Sequence, residues 1–267
     1  SWPEGSPFWK TLMDRLGERL HGGRFRTHFL LAPGEGPDAA ESLHPESVLW
    51  RHVVGVVTNA ALGRLGPILA ERGVPVVGFS TPQGVEHVVV QDDAALGRHA
   101  CAHLLARGYR RLGIISRYDA SHRGGSVGAF CDAARSAGVA VAGEHHVACP
   151  HGSGAAEAIL RLWRTSDGPG AVLITDDCLA VEAGRALRQA GWSGPDDLAV
   201  ITHATDGVAL PLSLPFTTCH FDVARTARCL EALLERLLAG AEGDGTGRSS
   251  DPMRVVLRPR VRQGATT

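Results

Sequence analysis

The chain has 267 residues, 44% of them hydrophobic, which is enough to bury two cores of medium size, so two lobes are predicted. Its 27 Lys and Arg residues against 28 Asp and Glu residues give a net charge of −1, which excludes a strongly basic domain that grips nucleic acid by itself. The sequence has no apolar run of about 18 residues for a membrane span, and its six cysteines stand singly, which favours buried thiols in the cytoplasm over a disulfide framework.

The elements predicted in the first part of the chain alternate between strands and helices. In chain order they are helix 8–20, strand 26–31, strand 53–57, helix 62–72, strand 74–79, strand 88–90, a helix that ends at Gly108, and strand 112–115. The consecutive valines of strand 88–90 are typical of a strand buried on both faces of a parallel sheet. Asp92 and Asp93 follow that strand and can cap the helix that comes next.

The same alternation continues to the end of the chain. The predicted elements are helix 127–137, strand 144–148, helix 155–163, strand 171–175, helix 179–190, strand 198–202, helix 223–238 and strand 254–257. Strands and helices in this order predict an α/β protein with parallel sheets covered on both faces.

Polar side chains collect where the predicted strands end. In open α/β sheets, ligands bind outside the carboxyl ends of the strands, and two such rims that face each other make a cleft. The candidate ligand-binding residues at these ends are Asn59, Ser80, Asp92, Tyr118, Asp176, Asp177, His203 and Asp206. Trp2 and Phe8 are candidates for stacking on a ligand ring. The alternative for the aspartates is helix capping alone, and for the aromatic side chains it is packing on their own lobe.

Signals of enzyme or metal chemistry are weak. Residues 124–128 fit the pattern G-x-S-x-G, but Ser126 lies ten residues beyond the predicted strand end at Ser116, whereas a nucleophile elbow needs a tight strand-to-helix turn. The densest set of metal ligands lies on a strand and its exit, needs a fourth ligand, and consists of His145, His146, Cys149 and His151. We therefore predict no catalytic residue, no metal and no cofactor.

Four segments, in order along the chain, carry a resemblance to a known family. They are VVVQDDAALGRHACAHLLARGYRRLGII (88–115), ITDDCLAVEAGRALRQAGWSGPDDLAVI (174–201), LPFTTCHFD (214–222) and VVLRPRVRQ (255–263). Together they resemble the LacI/GalR-type transcriptional regulators. The resemblance implies an effector-binding domain of the periplasmic-binding-protein type I fold, in which two Rossmann-like lobes joined by three crossovers hold a sugar or similar polar metabolite between them.

The resemblance also implies a division of the chain and a set of partners. One lobe would comprise residues 1–108 and 220–240, and the other residues 109–219 and 246–267. Family members have a helix-turn-helix head before this domain, and the first predicted helix here has no strand before it, so the chain is expected to be a sensor without its DNA reader. A cytoplasmic homodimer that contacts DNA only through the missing head, and no membrane, is the implied assembly.

Some candidate residues match the family's ligand-binding positions and others depart from them. Asp92 matches the family's cleft Asp, Asp177 matches the Asp of its A-N-D motif, and Asp176 replaces the Asn of that motif. The resemblance therefore implies that these carboxylates lie at the ligand.

The departures concern two positions that commonly hold sugar hydroxyls in the family. Ser126 stands in place of a cleft Arg, and Ala204 stands in place of a cleft Asp. Arg123, one helical turn before Ser126, and Asp206, two residues after Ala204, are predicted to substitute for them. The main alternative for the whole chain is an extracytoplasmic solute-binding protein of the same architecture, and a hydrolase is a third.

Overall fold

The computed structural model describes residues 7–21, 53–58, 65–80, 82–119, 121–150, 153–208, 211–243 and 251–267. It confirms an α/β protein with two sheets, each largely parallel. The chain divides into two compact units, unit 1 with Ser1–Gln91 and Val223–Leu257, and unit 2 with Asp92–Asp222 and Arg258–Thr267. The predicted strand 26–31 lies outside the described residues.

Unit 1 is built on a parallel sheet with the strand order β1-β2-β3-β9. Its described elements are α1 (Pro7–His21), β1 (Val56–Thr58), α2 (Leu65–Glu71), β2 (Val76–Phe79), β3 (His87–Gln91), α7 (Val223–Gly243) and β9 (Arg254–Leu257). Helix α1 buries Leu12, Leu16 and Leu20, which share one face because they are four residues apart, and this helix packs on α7. Arg19 and Glu231 form an ion pair between the two helices.

Unit 2 is built on a sheet with the strand order β10-β8-β7-β6-β4-β5. Its described elements are α3 (Asp93–Ala106), β4 (Leu112–Ser116), α4 (Gly125–Ser136), β5 (Val141–Ala148), α5 (Ala155–Arg164), β6 (Ala171–Ile174), α6 (Asp177–Gln189), β7 (Ala199–Asp206), β8 (Thr217–Asp222) and β10 (Arg260–Arg262). Five strands are parallel, and the edge strand β10 pairs antiparallel with β8. Strand β10 is not among the elements predicted from the sequence.

The boundaries of the two units differ from the predicted ones at all three crossings. Helix α3 packs against α4 and so belongs to unit 2, because Gly97 lets the two backbones approach until a Cβ there would lie 2.1 Å from the carbonyl oxygen of Ser126. Strand β9 pairs with β3 and so belongs to unit 1. Strand β8 continues to Asp222 because its last residues pair with the extended end of β7.

The last residues of the chain close the amino-terminal end of the unit 2 sheet. The Thr266 hydroxyl donates to the carbonyl of Val200 at 2.6 Å and accepts from the N–H of Thr217 at 2.8 Å. The Thr267 hydroxyl lies 2.7 Å from the Thr217 hydroxyl and 2.8 Å from Nε2 of His103 on α3. The two bonds of Thr266 satisfy buried backbone groups at the starts of β7 and β8.

Candidate ligand-binding site

Asp92 lies directly between β3 and α3 and is the N-cap of the helix. Its Oδ1 accepts a hydrogen bond of 2.8 Å from the N–H of Ala95, and the same oxygen lies 3.6 Å from the guanidinium of Arg98. The predicted capping role is therefore present. Both contacts use Oδ1, and the side chain is partly exposed, so the carboxylate can still accept from a ligand hydroxyl.

Asp93, the first residue of α3, lies near the start of α4 and near β7. Its Cβ lies 3.9 Å from where a Cβ on Gly125 would stand, at the start of α4, and His203 on β7 acts on it electrostatically. Although the side chain reaches solvent, the surrounding protein displaces water and raises the pKa of Asp93, while His203 opposes that rise. A carboxyl group whose pKa is shifted by its surroundings in this way is a candidate for a functional site.

The raised pKa of Asp93 predicts a pH-dependent stability difference for Asp93→Asn. The protonated carboxyl is favoured in the folded state, so its stabilising contribution is present below the ordinary pKa and is lost as the pH rises through the folded-state pKa. We therefore expect the difference in unfolding free energy, variant minus parent, to increase between about pH 3 and pH 7. Urea unfolding across that range, with Asp167→Asn at an exposed position as control, measures it; a constant or falling difference would contradict the prediction.

An ion pair joins the ends of two neighbouring strands in unit 2. Nε of Arg117, directly after β4, donates to Oδ2 of Asp176, after β6, at 2.7 Å. Oδ1 of Asp176 accepts from the N–H groups of Cys178 at 2.9 Å and Leu179 at 3.1 Å, so the residue also caps α6. The hydrogen bond to Asp176 raises the pKa of Arg117. Asp177 follows with only 8% of its surface exposed and adds a second carboxylate to this edge.

Tyr118 presents an aromatic ring at the same edge. The side chain is 54% exposed, and its ring stacks on His122 with the centroids 4.2 Å apart and the planes 13° from parallel. The Ser116 hydroxyl accepts from the N–H of Tyr118 at 3.1 Å and donates to its carbonyl, from which Nε2 of His146 lies 3.0 Å away. The backbone under an exposed aromatic face is thus fixed in place before any ligand binds.

Arg123 and Ser126 lie at the start of α4. The guanidinium of Arg123 is exposed and makes neither a hydrogen bond nor an ion pair with any described residue. Ser126 is partly buried, and its backbone carbonyl forms the close approach to Gly97. A cation therefore stands beside the position at which the family's Arg is replaced by serine.

Asp206, the last residue of β7, lines a cavity. Its carboxylate pairs with Arg262 of β10 at 3.2 Å. We name the cavity of about 340 Å³ beside it the β7–β8 cavity; its lining includes Ala204, Asp206, Phe216, Thr218, His220 and Arg262. The predicted substitution of Asp206 for the missing aspartate at position 204 stays a prediction.

The candidates of unit 1 are only partly described. Ser80 follows β2, is exposed, and has a φ of +70°, a left-handed conformation that is strained for a residue with a Cβ. Phe8 packs its ring on Trp9 and Phe79, with centroid distances of 5.0 and 5.6 Å, which agrees with the alternative of packing on its own lobe. Trp2 and Asn59 lie outside the described residues.

Among the described residues, one group has the proximity that a metal site needs. The ligand atoms of Asp176, Asp177 and Cys178 lie within 4.8 Å of one another. However, Oδ2 of Asp176 is paired with the guanidinium of Arg117, whose positive charge opposes a cation, and burial raises the pKa of Cys178 to about 11, so the thiol is protonated near neutral pH. The geometry serves the start of α6 and the pair with Arg117 rather than a cation.

The sequence places candidate residues of this site at strand ends but gives little or no signal for which of them meet. Arg117 and Asp93 stand beside predicted strand ends, but only the fold brings Arg117 to Asp176 and Asp93 to His203. His122 lies between predicted elements, and its stacking on Tyr118 depends on the course of the loop.

Comparison with known proteins identifies the family to which this chain belongs. Residues 101–267, more than half of the chain, match the family described as periplasmic binding protein-like domain. The chain therefore belongs to the periplasmic binding protein-like domain family. Within it, the predicted resemblance to the effector-binding domains of LacI/GalR-type transcriptional regulators is confirmed.

Three similar proteins illustrate the relationship. The HTH-type transcriptional regulator CelR of Thermobifida fusca is 28% identical over 266 residues, which cover 96% of this chain and 74% of that protein. A structure of a transcriptional regulator CelR–cellobiose complex has a TM-score of 0.74 at 24% identity and covers 98% of this chain and 80% of its own. A LacI family transcriptional regulator from Lactobacillus casei with bound sucrose has a TM-score of 0.72 at 21% identity, with 98% and 96% covered. Within the described residues, no helix has the length and apolar character needed to cross a bilayer.

Proposed function

We propose that this chain is the effector-sensing domain of a LacI-type transcriptional regulator and that its effector is an uncharged, hydroxyl-rich sugar or sugar-like molecule. The observation that carries the proposal is the Arg117–Asp176 pair at the carboxyl ends of the neighbouring strands β4 and β6, with Asp177 beside it. Carboxylates and a guanidinium in this arrangement accept from and donate to vicinal hydroxyl groups. The similar regulators with bound cellobiose and sucrose support the ligand class.

The charges of the site favour a neutral ligand. Asp176 is paired with Arg117, and Asp92 lies near Arg98, so neither carboxylate needs a ligand cation. The accessible Asp93 carboxylate opposes an anionic ligand at close range, since like charges that share a poorly hydrated site repel each other.

The exposed ring of Tyr118 adds an apolar face to these polar groups. A pyranose has an axial face of C–H groups that packs on an aromatic ring while its hydroxyls point to the sides. His122 covers one face of the tyrosine ring, which leaves the other for a ligand. The proposed site therefore combines ring stacking at Tyr118 with hydroxyl recognition at Asp92, Asp176 and Asp177.

The assembly follows from the family rather than from the site. We infer that the regulator acts as a cytoplasmic homodimer, that it contacts DNA through a helix-turn-helix head, and that it catalyses no reaction. The similar proteins named above are transcriptional regulators, which agrees with this role and not with uptake of a solute. Contact between the effector and unit 1 stays a prediction.

A ligand screen tests the proposal and its charge argument together. A ligand that binds only the folded state raises the melting temperature, so we expect cellobiose, sucrose, glucose or ribose to raise it and gluconate to leave it unchanged. Titration calorimetry with the best sugar should show a loss of affinity of about tenfold or more for Arg117→Gln, because a charge-assisted hydrogen bond is removed. Arg185→Gln, at an exposed position on α6, is the matched control. Stabilisation by gluconate alone would overturn the neutral-ligand assignment, and equal affinities for the two variants would overturn the site.

A further inference from the structure

We propose that unit 2 has a second ligand site, the β7–β8 cavity, which takes a small uncharged molecule with a hydroxyl group on an apolar body. The cavity has a volume of about 340 Å³ and is bounded by the end of β7, residues 212–216, β8 and β10. This volume lies at the lower end of the range of small-molecule sites in proteins. Its lining includes Ala204 and Asp206 but none of Arg117, Asp176 and Asp177, the residues that carry the proposed effector site.

His220 supplies a buried polar atom to which a ligand can hydrogen-bond. The residue lines the cavity with only 9% of its surface exposed, and its Nδ1 is buried without a hydrogen-bond partner among the described residues. Burial, with Arg262 next, lowers the pKa of His220, so the ring is neutral near pH 7 and has one nitrogen that donates and one that accepts. A buried polar atom without a partner costs free energy, and a ligand hydroxyl can accept from or donate to such a ring.

The charges around the cavity select an uncharged molecule. Asp206 and Arg262 line it as a pair 3.2 Å apart, so one anion and one cation balance each other there. Because the two charges balance, the pair gives no net attraction to an anion or a cation that has lost its water, whereas a hydroxyl can accept from the guanidinium N–H groups that Asp206 does not use.

Part of the cavity wall is apolar, and one of its side chains is held by the core of unit 2. It is formed by Leu212, Leu214, Pro215 and Phe216. Phe216 is buried in the core of unit 2, and its ring lies against α6 so closely that a Cβ on Gly184 would come within 2.8 Å of it. Apolar side chains in the same cavity as a neutral imidazole fit a molecule with one hydrocarbon face and one hydroxyl.

Benzyl alcohol is a suitable probe because it has this composition. In NMR titrations of the full chain, we expect saturable shifts of the His220 imidazole resonances with a Kd of about 1 mM, which is typical of a ligand of this size. Benzoate and benzylamine, which have the same ring but carry a charge, are expected to bind at least several-fold more weakly. No saturable shift at His220, or tighter binding of either charged compound, would overturn the proposal.

Two variants locate the probe. His220→Leu should weaken the binding of benzyl alcohol about tenfold while the fold is retained, and His99→Leu, on the exposed face of α3, is the matched control that should bind normally. The shifts in the unaltered chain keep the test valid if His220→Leu does not fold. Arg117→Gln should leave the affinity for benzyl alcohol unchanged; a loss there would place the probe in the effector site and overturn a separate cavity site.

Discussion

Replacing Gly97 by alanine is expected to lower the free energy of unfolding by about 3 kcal/mol or more, at the upper end of the usual cost of overpacking. A Cβ at this position would lie 2.1 Å from the carbonyl oxygen of Ser126 and 2.8 Å from the backbone nitrogen of Phe130. Both atoms belong to the backbone of α4, so no side-chain rotation relieves the contact, and the two helices have to move apart. Chemical denaturation with urea measures the loss.

The matched control for this substitution is Gly240→Ala. Gly240 also lies in a helix, but nothing stands within 4 Å of an added Cβ, so alanine should be neutral or stabilise by up to about 1 kcal/mol through helix propensity. Similar changes in stability at the two positions would show that the contact between α3 and α4 does not govern the result at Gly97.

The second large effect is expected for Asp176→Ala, which should lose about 2 kcal/mol of stability. About 1 kcal/mol comes from the cap of α6, where Oδ1 accepts from Cys178 and Leu179. The rest comes from the partly exposed pair with Arg117, whose contribution water reduces to about 1 kcal/mol or less. Binding of the effector sugar should weaken in parallel, because Arg117 loses the partner that orients it.

Asp176→Asn separates the two contributions. Asparagine is as good a helix cap as aspartate, and it restores the residue of the family's A-N-D motif. We therefore expect this variant to keep most of the stability and the sugar affinity. Thermal melting and calorimetry of both variants check this, and equal losses for alanine and asparagine would mean that charge on residue 176, not its capping oxygen, holds α6.

The elements that could be predicted from the sequence have a local signal. The buried valines before Asp92, the caps at Asp92 and Asp176, and Gly108 with its positive φ all act within a few residues of themselves. Strand β10, with two arginines in three exposed residues, has no apolar pattern, and it forms because β8 offers a free edge. Strand β8 likewise depends on its neighbours for its extent.

The candidate site divides in the same way. That polar groups follow the strand ends is visible in the sequence, but which of them meet is not. Arg117 and Asp176 are 59 residues apart, and they become neighbours only because β4 and β6 pair in register. The raised pKa of Asp93 likewise depends on protein that surrounds it only after folding.

Because the last ten residues of the chain complete unit 2, this unit is difficult to produce on its own. Because residues 258–267 complete unit 2 while the preceding strand belongs to unit 1, no continuous piece of the gene encodes unit 2. A fragment of residues 92–222 would expose the flank of β8 and leave the N–H of Thr217 without its acceptor on Thr266. A synthetic decapeptide of the last ten residues is the piece that such a fragment would need in trans.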